Sequence, residues 1–179
     1  MLPRIVSGLV ALLLVGAMVT GCSGQPAPEP STPSAPTFAS DEEAFAAAEE
    51  TYRAYVDALN QVDLNDPATF EPVFAWTTGE LNASDRKGLT RYHAEEVALS
   101  GTSKVTLVQP ANRSPNSLDI AVCLDVSQIE LIGADGASLV DLDRVDVQTI
   151  TVTLEEALSS PTGFLVSAIG PRDGHPACE

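Results

Sequence analysis

Basic residues are scarce in this chain: nine Lys and Arg stand against 25 Asp and Glu, a formal charge of −16 at pH 7. That balance argues against nucleic-acid binding, because a protein that holds phosphates must supply Lys and Arg to replace their counterions. It argues equally against adhesion of the protein surface to anionic lipid head groups. Aromatic residues make up only 5% of the chain, and the single tryptophan, Trp76, reads as a core plug before a ligand platform. The two histidines and three cysteines fall at no metal-ligand spacing. A Gly-rich phosphate loop, a Gly-x-Ser-x-Gly and a His-Glu-x-x-His are all lacking. No cofactor or metal is expected. Asp135-Gly136 and the run Asp141 to Asp146 invite a calcium reading, but Asp146 stands where an EF-hand wants its glycine and Val152 where it wants its glutamate. A calcium loop of another kind stays open.

What the chain does have is one long apolar run. Ile5 to Val19 follows Arg4 and is broken only by Ser7, Gly8 and Gly16. This is the length of a signal-peptide core and short of the ~20 residues a membrane-spanning helix needs. The next residues, Val19-Thr20-Gly21-Cys22, resemble a bacterial lipobox. The resemblance implies cleavage before Cys22 and a thioether bond from Cys22 to diacylglycerol, which would tie the chain to the lipid bilayer on the extracytoplasmic face of the cell membrane. An ordinary secretory signal or an uncleaved anchor helix would compete with that reading. Cleavage would remove residues 1–21 and with them Arg4, so the acidic domain would be held by lipid in spite of its charge. Ser23 to Ala39 contains Pro26, Pro28, Pro30, Pro33 and Pro36. Residues 22–39 are expected to form an extended tether that at ~3.1 Å per residue reaches roughly 50 Å.

With Cys22 committed to lipid, Cys123 and Cys178 are left. An exported chain with two remaining cysteines suggests one disulfide; two unrelated thiols are the alternative. If formed, the bond closes a long loop, for which chain entropy gives ~4 kcal/mol as an upper figure.

Residues 40–179 suffice for one domain. Ser40-Asp41-Glu42-Glu43 has the form of a capping box, and Phe45, Ala48, Tyr52, Tyr55, Val56 and Leu59 recur at spacings of three and four, predicting a helix over 41–61. Asp66-Pro67 starts a one- to two-turn helix through Phe70, Val73 and Phe74. A third helix is expected over 79–99, weakened at Gly88 and stopped by Gly101. The period then changes. Val105 to Gln109 reads as a strand and Pro110 to Asn116 as a turn. Leu118 to Val126 alternates strictly, a shift of parity near Ser127 predicts a bulge or bend, and Val147–Leu154 and Gly163–Ile169 complete a four-stranded antiparallel sheet. Cys123 falls on the face opposite Val122 and Leu124.

Helices followed by an antiparallel meander resemble the nuclear transport factor 2-like superfamily, the α+β fold of N-terminal helices on a curved four-stranded sheet shared with ketosteroid isomerase and polyketide cyclases. More closely, the chain resembles small lipoproteins of high-GC Gram-positive bacteria with such a domain. The matching stretches are Glu50-Thr51-Tyr52-Arg53-Ala54-Tyr55, Thr78-Gly79-Glu80, Val122-Cys123-Leu124-Asp125, Gly163-Phe164-Leu165-Val166 and a near-terminal Pro-x-Cys. The short strand such folds often carry between their helices is not visible. The resemblance implies a cone pocket, with Phe45, Tyr52, Trp76 and Tyr92 as lining. An enzyme would need a base there, from Glu95, Glu96, Asp119 or Asp125, and a donor from Tyr52, Tyr55, Tyr92 or His93. None of these sits in a motif, and alternation turns Asp119 and Asp125 outward. The expected function is a non-catalytic module that binds an envelope protein or a small ligand, the alternative being an isomerase- or cyclase-like enzyme.

Overall fold

The computed structural model describes residues 38–178. The expected signal peptide, Cys22 and the expected tether up to residue 37 lie outside the described residues. Among the described residues no helix is long and apolar enough to cross a membrane.

Helix α1 runs Asp41–Leu59 and begins with the cap that Ser40 predicts, its hydroxyl accepting from Glu43 N at 3.2 Å, while the Glu43 carboxylate reaches one residue beyond the expected Ser40 N and accepts from Ala39 N at 2.6 Å. Its buried stripe is Ala44, Ala48, Thr51, Tyr52, Tyr55 and Val56. Two alanines where larger side chains could stand let the helix approach the sheet closely, which moves Phe45 to the flank, half buried. A 3-10 turn at Pro67–Phe70, capped by Asp66 accepting from Ala68 N, leads into α2, Glu71–Phe74.

The third helix, α3, spans Gly79–Ala94 and passes through Gly88 unbroken, so the expected extent to residue 99 is corrected. It ends in a Schellman-type turn. Val97 N reaches back to Tyr92 O, and Glu96 adopts the left-handed conformation at φ 54, which glycine usually takes. Gly101 is therefore not the helix stop. It sits at φ +83 where a Cβ would collide with the carbonyl of Gln128, a close approach that only glycine permits.

Between Glu96 and Gly101 lies a short strand, β1, Ala98–Ser100, where the sequence predicts the end of the third helix; it follows the helices and does not lie between them. It pairs antiparallel with β4, Glu130–Ile132, in a sheet of two. The parity shift near Ser127 is thus a turn into a second sheet, not a bulge within one strand. The main sheet is four-stranded and antiparallel in the order β2-β3-β5-β6, with β2 Lys104–Arg113, β3 Ser117–Asp125, β5 Val147–Glu156 and β6 Phe164–Pro171. Strand β2 continues through Pro110, which was expected to open a turn. Proline is tolerated because β2 is an edge strand and its ladder shifts register between Pro110 and Asn112. At the other edge, Thr78 N and Trp76 O bond Val166, so the segment before α3 covers β6.

Leu118, Ile120 and Val122 of β3, Ile150, Val152 and Leu154 of β5 and Phe164 and Val166 of β6 face α1 and α2 and form the core with Tyr52, Val73 and Phe74. Burying each such side chain contributes about 1.5–3 kcal/mol. Polar clamps fix the helix on the sheet. Thr51 Oγ1 bonds Thr162 Oγ1 at 2.6 Å, and Asn60 exchanges two hydrogen bonds with the Ser103 backbone, at 2.8 and 2.9 Å. Phe38, the first described residue, stacks on Phe164 with centroids 4.9 Å apart.

Cys123 and Cys178 form a disulfide, with Cα atoms 5.5 Å apart. Cys123 is on the outer face of the sheet, as alternation predicts. Arg172 holds the same tail by donating to Ile150 O, Gly174 O and Pro176 O. The observed domain is α+β, three helices on antiparallel sheet, which agrees with the layout that the resemblance implies.

Candidate functional site

The residues proposed to line a cone pocket are not gathered round one space. Tyr52 is 1% exposed and sealed in the core, while Trp76 and Tyr92 are half-buried sides of it. Phe45 alone borders an open groove, about 280 Å³, with Glu42, Glu49, Val108, Pro110 and Ile120.

The catalytic candidates are likewise engaged or exposed. Asp119 accepts from Thr153 Oγ1 at 2.8 Å on the outer face. Asp125 accepts from Ser127 N at 2.9 Å, and that backbone hydrogen bond holds its carboxyl below the usual range. Glu95 and Glu96 are exposed. His93 donates from Nδ1 to Leu64 O at 2.7 Å, since a carbonyl can only accept, and its ring meets Phe70 edge-on. Among the described residues no cluster of His, Cys, Asp and Glu could hold a metal. Asp135 and Asp141 instead cap their own turns, bonding Ala137 N and Asp143 N.

One polar pair inside the molecule was not anticipated. Tyr55, 4% exposed, donates to Asp85 Oδ2 at 3.2 Å. Burial pushes the Asp85 carboxyl above the usual carboxylate range, while the hydrogen bond from Tyr55 pulls the other way. Burial first, then the neighbouring carboxylate, pushes the Tyr55 phenol well up. The signal for Asp85 was its spacing: it stands four residues after Leu81 and four before Leu89, inside the apolar stripe of α3. A carboxyl of raised pKa is what a general acid or base requires, but neither Asp85 nor Tyr55 lines any of five clefts on the described surface.

The space is elsewhere. At the end of the sheet where β5 begins, two adjoining clefts of about 450 and 200 Å³ share Arg144 and Gln148 as lining. The larger has Ile150, Ile169 and Pro171 as its apolar wall; the smaller reaches Leu59, Leu99 and Ile129. Chain geometry places both polar residues. Gln148 is on the same face of β5 as Ile150 and Val152 by the period of two, and Val126 N bonds Asp146 O, which draws the 133–146 connection across the strand ends. Arg144 Nη2 then donates to Val126 O at 2.9 Å and Ile129 O at 3.2 Å. Its Nε is buried without a partner. No acidic residue lines either cleft, whereas Asp57, Glu49 or Glu42 borders three further clefts on the described surface. A cation and an amide beside an apolar wall can hold a ligand; with no base among them they cannot take a proton from one.

No family model matches the chain, and no curated protein matches it. Among solved structures it is similar to a candidate aromatic ring hydroxylase from Novosphingobium aromaticivorans, at 11% identity and a TM-score of 0.48 over 74% of this chain and 96% of that one. It is also similar to the VirB8 protein of Agrobacterium tumefaciens, at 11% identity and a TM-score of 0.41 over 77% and 97%. A designed β-sheet protein follows at 12% identity and a TM-score of 0.31, over 76% of this chain and 94% of that one. Likenesses at this distance carry no argument about what the chain does.

Proposed function

We propose that the chain is a lipoprotein anchored through acylated Cys22 to the extracytoplasmic face of a bacterial cell membrane, of the kind found in high-GC Gram-positive bacteria. Its nuclear transport factor 2-like domain is a non-catalytic binding or accessory module of the envelope. The observation that carries the non-catalytic reading is the separation of base from space. Asp85, with its raised pKa, lines neither cleft at Arg144, and those acid-free clefts have room but no proton acceptor of suitable strength. The anchor rests on Val19-Thr20-Gly21-Cys22 following an apolar run, and the tether gives the domain reach from the membrane.

The competing reading, an isomerase- or cyclase-like enzyme, draws on the Tyr55–Asp85 pair and requires a substrate to reach it. Two measurements decide. Mass spectrometry of the N-terminus of the native protein should find diacylglycerol on Cys22; an unmodified cysteine, or a chain starting elsewhere, removes the anchor. Solvent access at Asp85 decides the second point: a carboxyl-modifying reagent should label the half-buried Asp85 more slowly than the exposed Glu95 and Glu96 in the folded protein, and labelling as fast as theirs would revive the enzyme.

A further inference from the structure

Arg144 and Gln148 have donor capacity that the protein does not use. Arg144 spends Nη2 on two carbonyls, and among the described residues neither Nη1 nor the Gln148 side-chain amide has a protein hydrogen bond. Among the described residues Arg144 also has no carboxylate partner, while Arg53, Arg86 and Arg113 each have one. In a chain with 25 acidic residues, clefts lined by none of them are a local exception. With Nη2 spent on two carbonyls and Nε buried, Nη1 is the guanidinium nitrogen left to a ligand, and a charge-assisted N–H bond to a carboxylate is about twice as strong as a neutral hydrogen bond. The wall beside it, Ile150 and Ile169, is apolar, and the volume falls in the range of small-ligand sites.

We infer that the Arg144–Gln148 cleft binds a small amphiphilic carboxylate, with the carboxylate on Arg144 Nη1 and the Gln148 amide and the hydrocarbon along Ile150 and Ile169. The inference deepens the binding-module reading and rests on it. The opposing field comes from Asp141, Asp143 and Asp146 on the same connection, all exposed. Asp143 and Asp146 stand one and two residues from Arg144, inside the screening length of about 8 Å, and so oppose an anion; none of the three acids lines either cleft, whereas Arg144 lines both. The overall negative charge slows approach of an anion without abolishing affinity.

The test uses isotope-labelled protein from residue 22 onward, which keeps every described residue, titrated with octanoate and separately with 1-octanol. Octanoate should give saturable amide shifts at Gln148, Ile150 and Ile169 and bind at least about tenfold more tightly than octanol, the equivalent of one good charged contact. Gln148→Glu places a carboxylate beside Arg144 and should weaken octanoate by about tenfold or more while leaving octanol unchanged. Gln148→Leu, which adds no charge, should give a smaller loss in the same direction and serves if the first variant disturbs the fold. Equal affinity for the two probes ends the carboxylate inference and leaves a binding module standing. Absence of shifts at the cleft, or indifference to both substitutions, ends it too. An unmodified Cys22 would remove the anchor without touching this result.

Discussion

Two polar constellations in this domain invite a functional reading, and they differ in what surrounds them. Tyr55 and Asp85 form a hydrogen-bonded pair between α1 and α3, with Tyr55 4% exposed and Asp85 pushed toward its protonated form by burial. Arg144 and Gln148 stand at the end of the sheet on clefts of about 450 and 200 Å³, with donors unspent. The first has tuned chemistry but lines neither of those clefts; the second has room and nothing to tune. A perturbed pKa identifies a functional group only where a substrate can reach it. Burial of a polar side chain within a helix interface perturbs it just as well.

The sharpest way to break the contrast is to open the sealed end. Tyr52 is 1% exposed beside Tyr55, its ring centroid 6.1 Å away. Tyr52→Ala should cost about 3–5 kcal/mol by the loss of transfer energy and the cavity left behind, measured by urea unfolding. If Tyr52 were instead the wall of an open pocket, the loss would stay below about 1 kcal/mol, as at surface positions away from packed features.

The open end has its own restraint. Gly170 and Pro171 border the larger cleft, Arg172 follows them, and the tail is then tied to β3 by Cys123–Cys178. Removing the bond with Cys123→Ser should lower stability by about 2–4 kcal/mol, because the closed loop of 55 residues no longer restricts the unfolded chain. An equal midpoint for variant and parent under non-reducing conditions would show that the tail does not restrain the domain.

The two constellations were also unequally legible in the sequence. Long periodic elements were readable: Ser40 and the stripe through Tyr52 placed α1, and the alternation from Leu118 to Val126 placed β3 and turned Cys123 outward. Three residues are too few to express a period, so β1 was read as the end of the third helix and β4 as the long strand continuing past Ser127, and the left-handed Glu96 ended α3 without the glycine that usually marks such a turn. Asp85 could have been found, since an acid inside the stripe of Leu81 and Leu89 breaks the pattern. The cleft could not. Arg144 belongs to an irregular connection and Gln148 to a strand whose inward register alone places it, and only the closure of that connection over the strand ends brings both to one space. The pocket expected from Phe45, Tyr52, Trp76 and Tyr92 followed from apolar type and resemblance, and apolar type does not distinguish a side chain that fills a core from one that lines a hole.

A smaller effect separates a buried pair from a reactive one. Tyr55→Phe keeps the ring and removes the hydroxyl that Asp85 accepts from at 3.2 Å. The expected cost is about 1 kcal/mol, the net value of one such bond plus the partner left short of a donor, seen as a lower unfolding midpoint. No change would mean that water already serves Asp85 and that the pair is more accessible than its burial indicates.

The least effect, and the most diagnostic, comes from Asp85→Asn. An amide oxygen still accepts from Tyr55, so shape and hydrogen bond survive while the titration is lost. Burial raises the folded-state pKa of Asp85, so its contribution to stability is fully present below the unfolded value of about 3.9 and is lost as pH rises through the raised folded value. The variant does not lose it. Its melting temperature should therefore match the parent's near the unfolded value, exceed it progressively as pH rises into the neutral range, and hold a constant advantage above that. A difference that is flat with pH would mean that Asp85 is solvated like a surface acid; an advantage that reverses sign at neutral pH would mean that its charge is stabilised by a partner. Either outcome would return the Tyr55–Asp85 pair to the list of reachable sites, and the contrast with the Arg144 cleft would then no longer separate catalysis from binding.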